Sequence, residues 1–90
     1  MHDIVLHRHA VKAYKKADSA LKKRISEAFD IISKDPRYHP HIKKLKGVLR
    51  NMYRYRLGDL RILYEIEEEG QIVRIKTMEA RGSVYKPTAR

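Results

Sequence analysis

Between Lys43 and Ile66 the chain reads KKLKGVLRNMYRYRLGDLRILYEI, a stretch dense in Lys and Arg with only Asp59 and Glu65 as acids. Read as two β-strands joined at Gly58-Asp59, its side chains separate by period two. Met52, Arg54 and Arg56 point one way, and Tyr53, Tyr55 and Leu57 the other. In the second strand Arg61, Leu63 and Glu65 oppose Leu60, Ile62, Tyr64 and Ile66. If the Tyr/Leu/Ile set packs on the rest of the chain, Arg54, Arg56 and Arg61 share the opposite surface. Arginine is always charged, and its planar fork of donors matches a phosphate. Guanidinium groups on neighbouring strand positions can hold a phosphodiester. They can also stabilise the added charge of a pentavalent transition state, the electrostatic contribution that is often the largest in catalysis. Tyr38, Tyr53 and Tyr85 are candidates to stack on single-stranded bases. Core packing is the competing reading for Tyr53, and the favoured one for Tyr55 and Tyr64.

The elements that would position this strand pair can be read in order. Asp3 to His7 is a short β-branched run and predicts a first strand. Ala10, Val11, Tyr14 and Ala17 recur at helical spacing, so Arg8 to Ala17 predicts a short amphipathic helix. Asp18 or Ser19 can cap the next helix. There Leu21, Ile25, Ala28, Phe29 and Ile32 form one apolar stripe, and Asp35-Pro36 ends it. Pro36 to Lys46 reads as a loop, and Gly47 as the opening of the strand pair. Glu67-Glu68-Glu69-Gly70 reads as a solvated turn before a third strand from Gln71 to Met78, in which Arg74 and Lys76 share a face. Glu79 to Arg90 reads as irregular. Helices followed by a strand meander predict an α+β fold: an N-terminal strand and a helical hairpin on one face of an antiparallel sheet of about four strands, the other face open.

The chain has 90 residues, which is one domain spanning residues 1–90, and carries a formal charge of +10. Such an excess favours a polyanionic partner: nucleic acid first, an acidic protein segment second, an anionic membrane third. Without cysteine there is no disulfide framework and no thiolate zinc site. The opening MHDIVLHRHAV lacks the apolar core of a signal peptide, and no run approaches a membrane span, which points to a cytoplasmic protein.

Other chemistries find less support. Five histidines include the pairs His7/His9 and His39/His41, but neither an HExxH pattern nor paired carboxylates accompany them, so no metal is expected. Ser19, Ser26, Ser33 and Ser83 sit in no Gly-x-Ser-x-Gly turn. There is no Gly-rich phosphate loop, and no cofactor is expected.

The ordered set Lys44-Leu-Lys-Gly47, Tyr53-Arg-Tyr-Arg-Leu-Gly-Asp-Leu-Arg-Ile-Leu-Tyr-Glu-Ile66 and Arg81-Gly-Ser-Val-Tyr85 resembles the RelE/ParE toxin superfamily, nearer its RelE side. The resemblance runs over nearly the whole chain. It implies the RelE-like microbial ribonuclease fold and the toxin of a type II toxin–antitoxin pair. RelE-like members cut mRNA in the A site of the 30S ribosomal subunit without metal: the 2′-hydroxyl attacks the adjacent phosphate, leaving a 2′,3′-cyclic phosphate and a 5′-hydroxyl. By that resemblance Arg61 stabilises the phosphate, and Arg54 and Arg56 fall on basic site positions. Arg81 falls on a C-terminal basic position, and Tyr85 on an aromatic that orients the cut nucleotide. Lys43, Lys44, Lys46, Arg50, Arg74 and Lys76 complete the expected RNA-binding set. The implied partners are a cognate antitoxin with an acidic and apolar segment, the ribosome and its mRNA, and operator DNA only through the antitoxin.

One role is left open. Arginine does not deprotonate in a protein, so Arg54 and Arg56 cannot take the proton of the 2′-hydroxyl. Lys46, Tyr85, Glu79, His39 and His41 are the alternatives, and Glu79 could instead pair with an arginine and weaken the site. Two other functions fit the same fold: a ParE-like poison of DNA gyrase that cuts nothing, and a non-catalytic RNA-binding module or decayed toxin.

Overall fold

The computed structural model describes residues 1–80 of the chain; the expected site residues Arg81 and Tyr85 lie outside them. Strand β1 (Asp3–Leu6) leads into helices α1 (Arg8–Lys16) and α2 (Ser19–Lys34). Strands β2 (Ile42–Lys44), β3 (Met52–Leu57), β4 (Leu60–Glu67) and β5 (Ile72–Ala80) follow, with a 3-10 turn at Gly47–Leu49 between β2 and β3. The sheet order is β1-β5-β4-β3-β2.

Both helices start on side-chain caps. The Nδ1 of His7 accepts from the His9 N–H at 3.3 Å, and an Asp18 carboxylate oxygen accepts from the Leu21 N–H at 2.8 Å. Asp35 ends α2, as the following proline requires. Ala10 of α1 and Ile25, Ala28 and Ile32 of α2 pack on Tyr55, Ile62, Tyr64, Val73, Ile75 and Met78 of the sheet. Every one of these sheet residues belongs to the face opposite the arginines. The core therefore lies between the helical layer and one side of the sheet, the α+β arrangement expected from the order of elements.

Three features differ from the sequence reading. The sheet has five strands and is mixed, because β1 runs parallel to β5. The helical hairpin carries the chain from β1 to the far edge, so β1 and β2 become opposite borders of one sheet. Residues 42–44, read as loop, form the edge strand β2, with Ile42 opposite Tyr55. Its three residues are too few to show alternation, and its pairing with β3 is what makes it a strand. Finally, β3 starts at Met52 rather than near Gly47, and β5 runs on to Ala80.

A bulge shapes the last strand. On β4 the pairing shifts between Leu63 and Tyr64, whose partners are Thr77 and Ile75, so Lys76 is the extra residue. Unbroken alternation from Ile75 would turn Thr77 and Glu79 toward the helices and expel Met78. The added residue resets the parity: Ile75 and Met78 are both buried, and Glu79 comes out on the other face.

Tyr64 ties the sheet to the end of α2. Its ring is fully buried and stacks on Tyr53 with centroids 5.8 Å apart, and its hydroxyl donates to the Pro36 carbonyl at 2.6 Å. Burial pushes the phenol above its ordinary range, with the Tyr53 and Asp35 charges adding to the effect, so it stays a donor. Replacing Tyr64 by Phe leaves the Pro36 carbonyl without this bond. Urea unfolding of Tyr64→Phe should show a loss of about 1–3 kcal/mol.

The His7 cap works only while Nδ1 is neutral. Partial desolvation, then the charges of Lys76, His9 and Arg8, lower its pKa below the usual 6.5. A lowered folded pKa means that the unfolded chain binds the proton first as pH falls. The cap's contribution is therefore complete above about pH 6.5 and lost below it, down through the folded pKa. The melting temperature of the wild type should fall more steeply between pH 7.5 and 5 than that of His7→Asn, which caps without titrating.

Candidate nucleic-acid interface

The arginine surface is built by the β3–β4 hairpin. Its loop is the pair Gly58-Asp59 between the paired residues Leu57 and Leu60. Gly58 has φ +58, a value that suits the first residue of a type II′ turn, and the Arg24 guanidinium lies 3.2 Å from where a Cβ would stand. A two-residue loop fixes the register. That register places Arg56 directly opposite Arg61, and Arg54 opposite Leu63. On the edge strand, Lys43 is opposite Arg54. Lys43, Arg54, Arg56 and Arg61 thus share one face, the face away from the helices. Arg56 is exposed, and Arg54 and Arg61 are half-buried. A cavity of about 150 Å³ at the hairpin tip is lined by Arg56, Gly58, Asp59 and Arg61.

Across the sheet the row continues. Glu79 of β5 is directly opposite Arg61 on its other side, so Arg56, Arg61 and Glu79 stand on three adjacent strands with their side chains on one surface. Thr77 sits beside Leu63 in the next row.

The remaining expected RNA contacts do not gather here. Lys44 alternates with Lys43 and therefore falls on the helix side, its Nζ 5.9 Å from the Tyr53 ring centroid. Lys44, Lys46 and Arg50 line a separate cavity of about 350 Å³ at the β2–β3 turn, next to the exposed Val48 and Leu49. The length of β3 from Met52 to Arg56, about 13 Å, lies between this turn and the Arg56 row. Arg74 and Lys76 do lie on the arginine face, at its opposite end, and each meets an acid: Arg74 with Glu67 at 2.5 Å, Lys76 with Glu65 at 3.8 Å. The bond to Glu67 holds the Arg74 pKa above its usual value. The acidic turn is therefore more than a solvated tip, and Glu68 also pairs with Arg37.

The aromatic candidates divide as well. Tyr53 packs against the core and Tyr64, away from the arginines, while Tyr38 is 78% exposed in the loop after α2. His39 and His41 both lie against Tyr55, with ring centroids 5.5 and 5.9 Å from it. Tyr55 is buried on the helix side, and that burial raises its pKa. Both imidazoles are thus on the wrong side of the sheet to serve a group held by Arg56 and Arg61.

One basic surface was not singled out from the sequence. Arg8, Lys12 and Lys15 of α1 follow the i, i+4, i+7 spacing of a single stripe and line a cavity of about 400 Å³ with His9 and Val11. The signal lies in the spacing of the charged residues, which the apolar spacing that identifies the helix does not report.

Like charges directly opposite in an antiparallel pair are destabilising by about 0.2–1 kcal/mol. Arg56→Gln should therefore raise stability by about that amount in low salt. Added salt should stabilise the wild type more than the variant, as read from paired urea unfolding curves.

The family model for the ParE toxin of type II toxin–antitoxin systems matches residues 4–81. The chain is similar to one in the archaeal RelE–RelB complex from Pyrococcus horikoshii OT3, at 29% identity over 90% of this chain and 96% of that one, with a TM-score of 0.74. It is similar to one in the RelBE2 toxin–antitoxin complex from Mycobacterium tuberculosis, at 25% identity over 89% and 98%, with a TM-score of 0.77. The isolated E. coli RelE toxin shares the fold, at 20% identity over 94% and 92%, with a TM-score of 0.76. No curated protein matches the chain. The match over residues 4–81 establishes that this chain belongs to the RelE/ParE family of type II toxin–antitoxin toxins.

Proposed function

We propose that this toxin is a ribosome-dependent mRNA endoribonuclease. The observation that carries the reading is the Arg56–Arg61 pair, set directly opposite each other on adjacent strands with Lys43 and Arg54 beside them. Two guanidinium groups side by side repel each other, and a bound phosphodiester would lower that repulsion while accepting hydrogen bonds from both. Arg61 holds the scissile phosphate, and its fork follows the charge as the phosphorus becomes pentavalent. Arg56, Arg54 and Lys43 hold the strand. Arg81 and Tyr85 take the C-terminal roles that the family resemblance implies. Lys44, Lys46 and Arg50 grip RNA at a second place, while Arg74 and Lys76 add less because Glu67 and Glu65 neutralise them. The reaction requires no metal: the 2′-oxygen attacks, the bond to the 5′-oxygen breaks, and a 2′,3′-cyclic phosphate remains.

The chain acts in the cytoplasm, on mRNA in the A site of the 30S subunit. A cognate antitoxin restrains it, through an acidic and apolar segment that covers the cationic surface. The structures it resembles include toxin–antitoxin complexes. Operator DNA is reached only through that antitoxin.

A second reading has its own support, because the matching family model carries the ParE description. In that reading the toxin poisons DNA gyrase and cuts nothing. Primer extension on translated mRNA separates the two. Wild-type toxin should give new 5′ ends, and Arg61→Ala should lower their rate about 100–1,000-fold. Undiminished cleavage by an Arg61→Ala, Tyr85→Ala double variant would overturn the site assignment. Loss of plasmid supercoiling before protein synthesis stops would favour the gyrase reading.

A further inference from the structure

We infer that Glu79 is the group that accepts the proton of the attacking 2′-hydroxyl. This deepens the nuclease reading and rests on it.

The described candidates for this role separate by position. His39 and His41 lie against Tyr55, on the helix side of the sheet. Lys46 opens the β2–β3 turn, next to Leu45, whose N–H donates to the Met52 carbonyl. The four residue steps of β3 from Met52 to Arg56 put it on the order of 13 Å from the Arg56 row. Glu79 alone of these is in that row, on the same face as Arg56 and Arg61 and directly opposite Arg61. The Lys76 bulge brings it there, since regular alternation would have turned it toward the helices.

The charges of the row fit the task. Arg56 and Arg61 stand in the row with Glu79, Asp59 lines the cavity at the hairpin tip, and Lys43 and Arg54 follow in the next row, so cations outnumber acids around the carboxylate. Opposed cross-strand side chains have Cβ atoms about 5 Å apart, so a carboxylate on β5 reaches a ribose whose phosphate rests on Arg61. In the step itself the 2′-O–H proton passes to a Glu79 carboxylate oxygen. The 2′-oxygen forms its bond to phosphorus, and the P–O5′ bond breaks. The 5′-oxygen leaves with a proton from water, and Glu79 later returns its own proton to solvent. The two arginines compensate the negative charge that builds on the non-bridging oxygens.

The competing reading makes Glu79 a neutraliser of Arg61 that weakens RNA binding. Single-turnover cleavage of mRNA on programmed ribosomes, followed from pH 4.5 to 8.5, decides between them for wild type, Glu79→Gln, Glu79→Asp and Tyr85→Phe. Glu79→Gln should cleave about 100–10,000-fold more slowly and lose the acidic limb of the pH profile. Its RNA affinity should be equal or higher, because an acid has been removed. Glu79→Asp should recover part of the rate and keep the limb, which also shows that the fold at this position survives. Equal or faster cleavage by Glu79→Gln overturns the inference, as does loss of the limb in Tyr85→Phe instead. A wild type that cuts no mRNA overturns the nuclease reading itself, and with it this one.

Discussion

The register of the β3–β4 hairpin is the constraint on which the rest depends. Tyr55 faces Ile62 and Tyr53 faces Tyr64 across the pair, and these rings and branches bind the sheet to the helices. A slip of one residue would turn every side chain of one strand to the wrong face. Burying each large apolar side chain contributes about 1.5–3 kcal/mol, whereas the opposed arginines cost about 0.2–1 kcal/mol. The apolar side of the hairpin therefore decides the register, and the cationic side must accept the neighbours that this register imposes. A two-residue loop at Gly58-Asp59 leaves no slack by which the pair could shift.

The same sheet shows two electrostatic regimes on one surface. Near β1 and the β4–β5 turn, Arg74 and Lys76 are matched by Glu67 and Glu65, and the surface is locally balanced. Toward the β3–β4 turn, Lys43, Arg54, Arg56 and Arg61 share the face with Glu79, which stands opposite Arg61. The face therefore has one locally balanced end and one strongly positive end. Ion pairs at the exposed end contribute little to stability. Their larger effect is to concentrate the net positive charge of the face where the hairpin turns.

A sheet surface also suits guanidinium groups used together. Their Cα positions are held by a hydrogen-bonded ladder and by the core beneath, so little backbone ordering remains when a phosphate arrives. The second basic cluster, around Lys46 and Arg50, sits on a turn beside exposed Val48 and Leu49. The two clusters are separated by the length of β3. An extended strand of nucleic acid could span them, and a single phosphate could not.

Much of this was legible in the residues. Alternation over Met52–Leu57 and Leu60–Glu67 is local, so period two alone assigned Arg54, Arg56 and Arg61 to one face and Tyr55, Ile62 and Tyr64 to the other. The α2 stripe and its Asp18 cap are equally local. What the tertiary structure decided depends on partners distant in sequence. The strand at residues 42–44 exists through its pairing with β3, and that pairing sends Lys43 and Lys44 to opposite sides. The parallel seating of β1 on β5 joins residues nearly seventy positions apart. The parity of Glu79 is set by the bulge at Lys76, where burial of both Ile75 and Met78 overrides simple alternation. Periodicity specifies which side of its own strand a residue takes, but only the assembled sheet specifies what stands next to it.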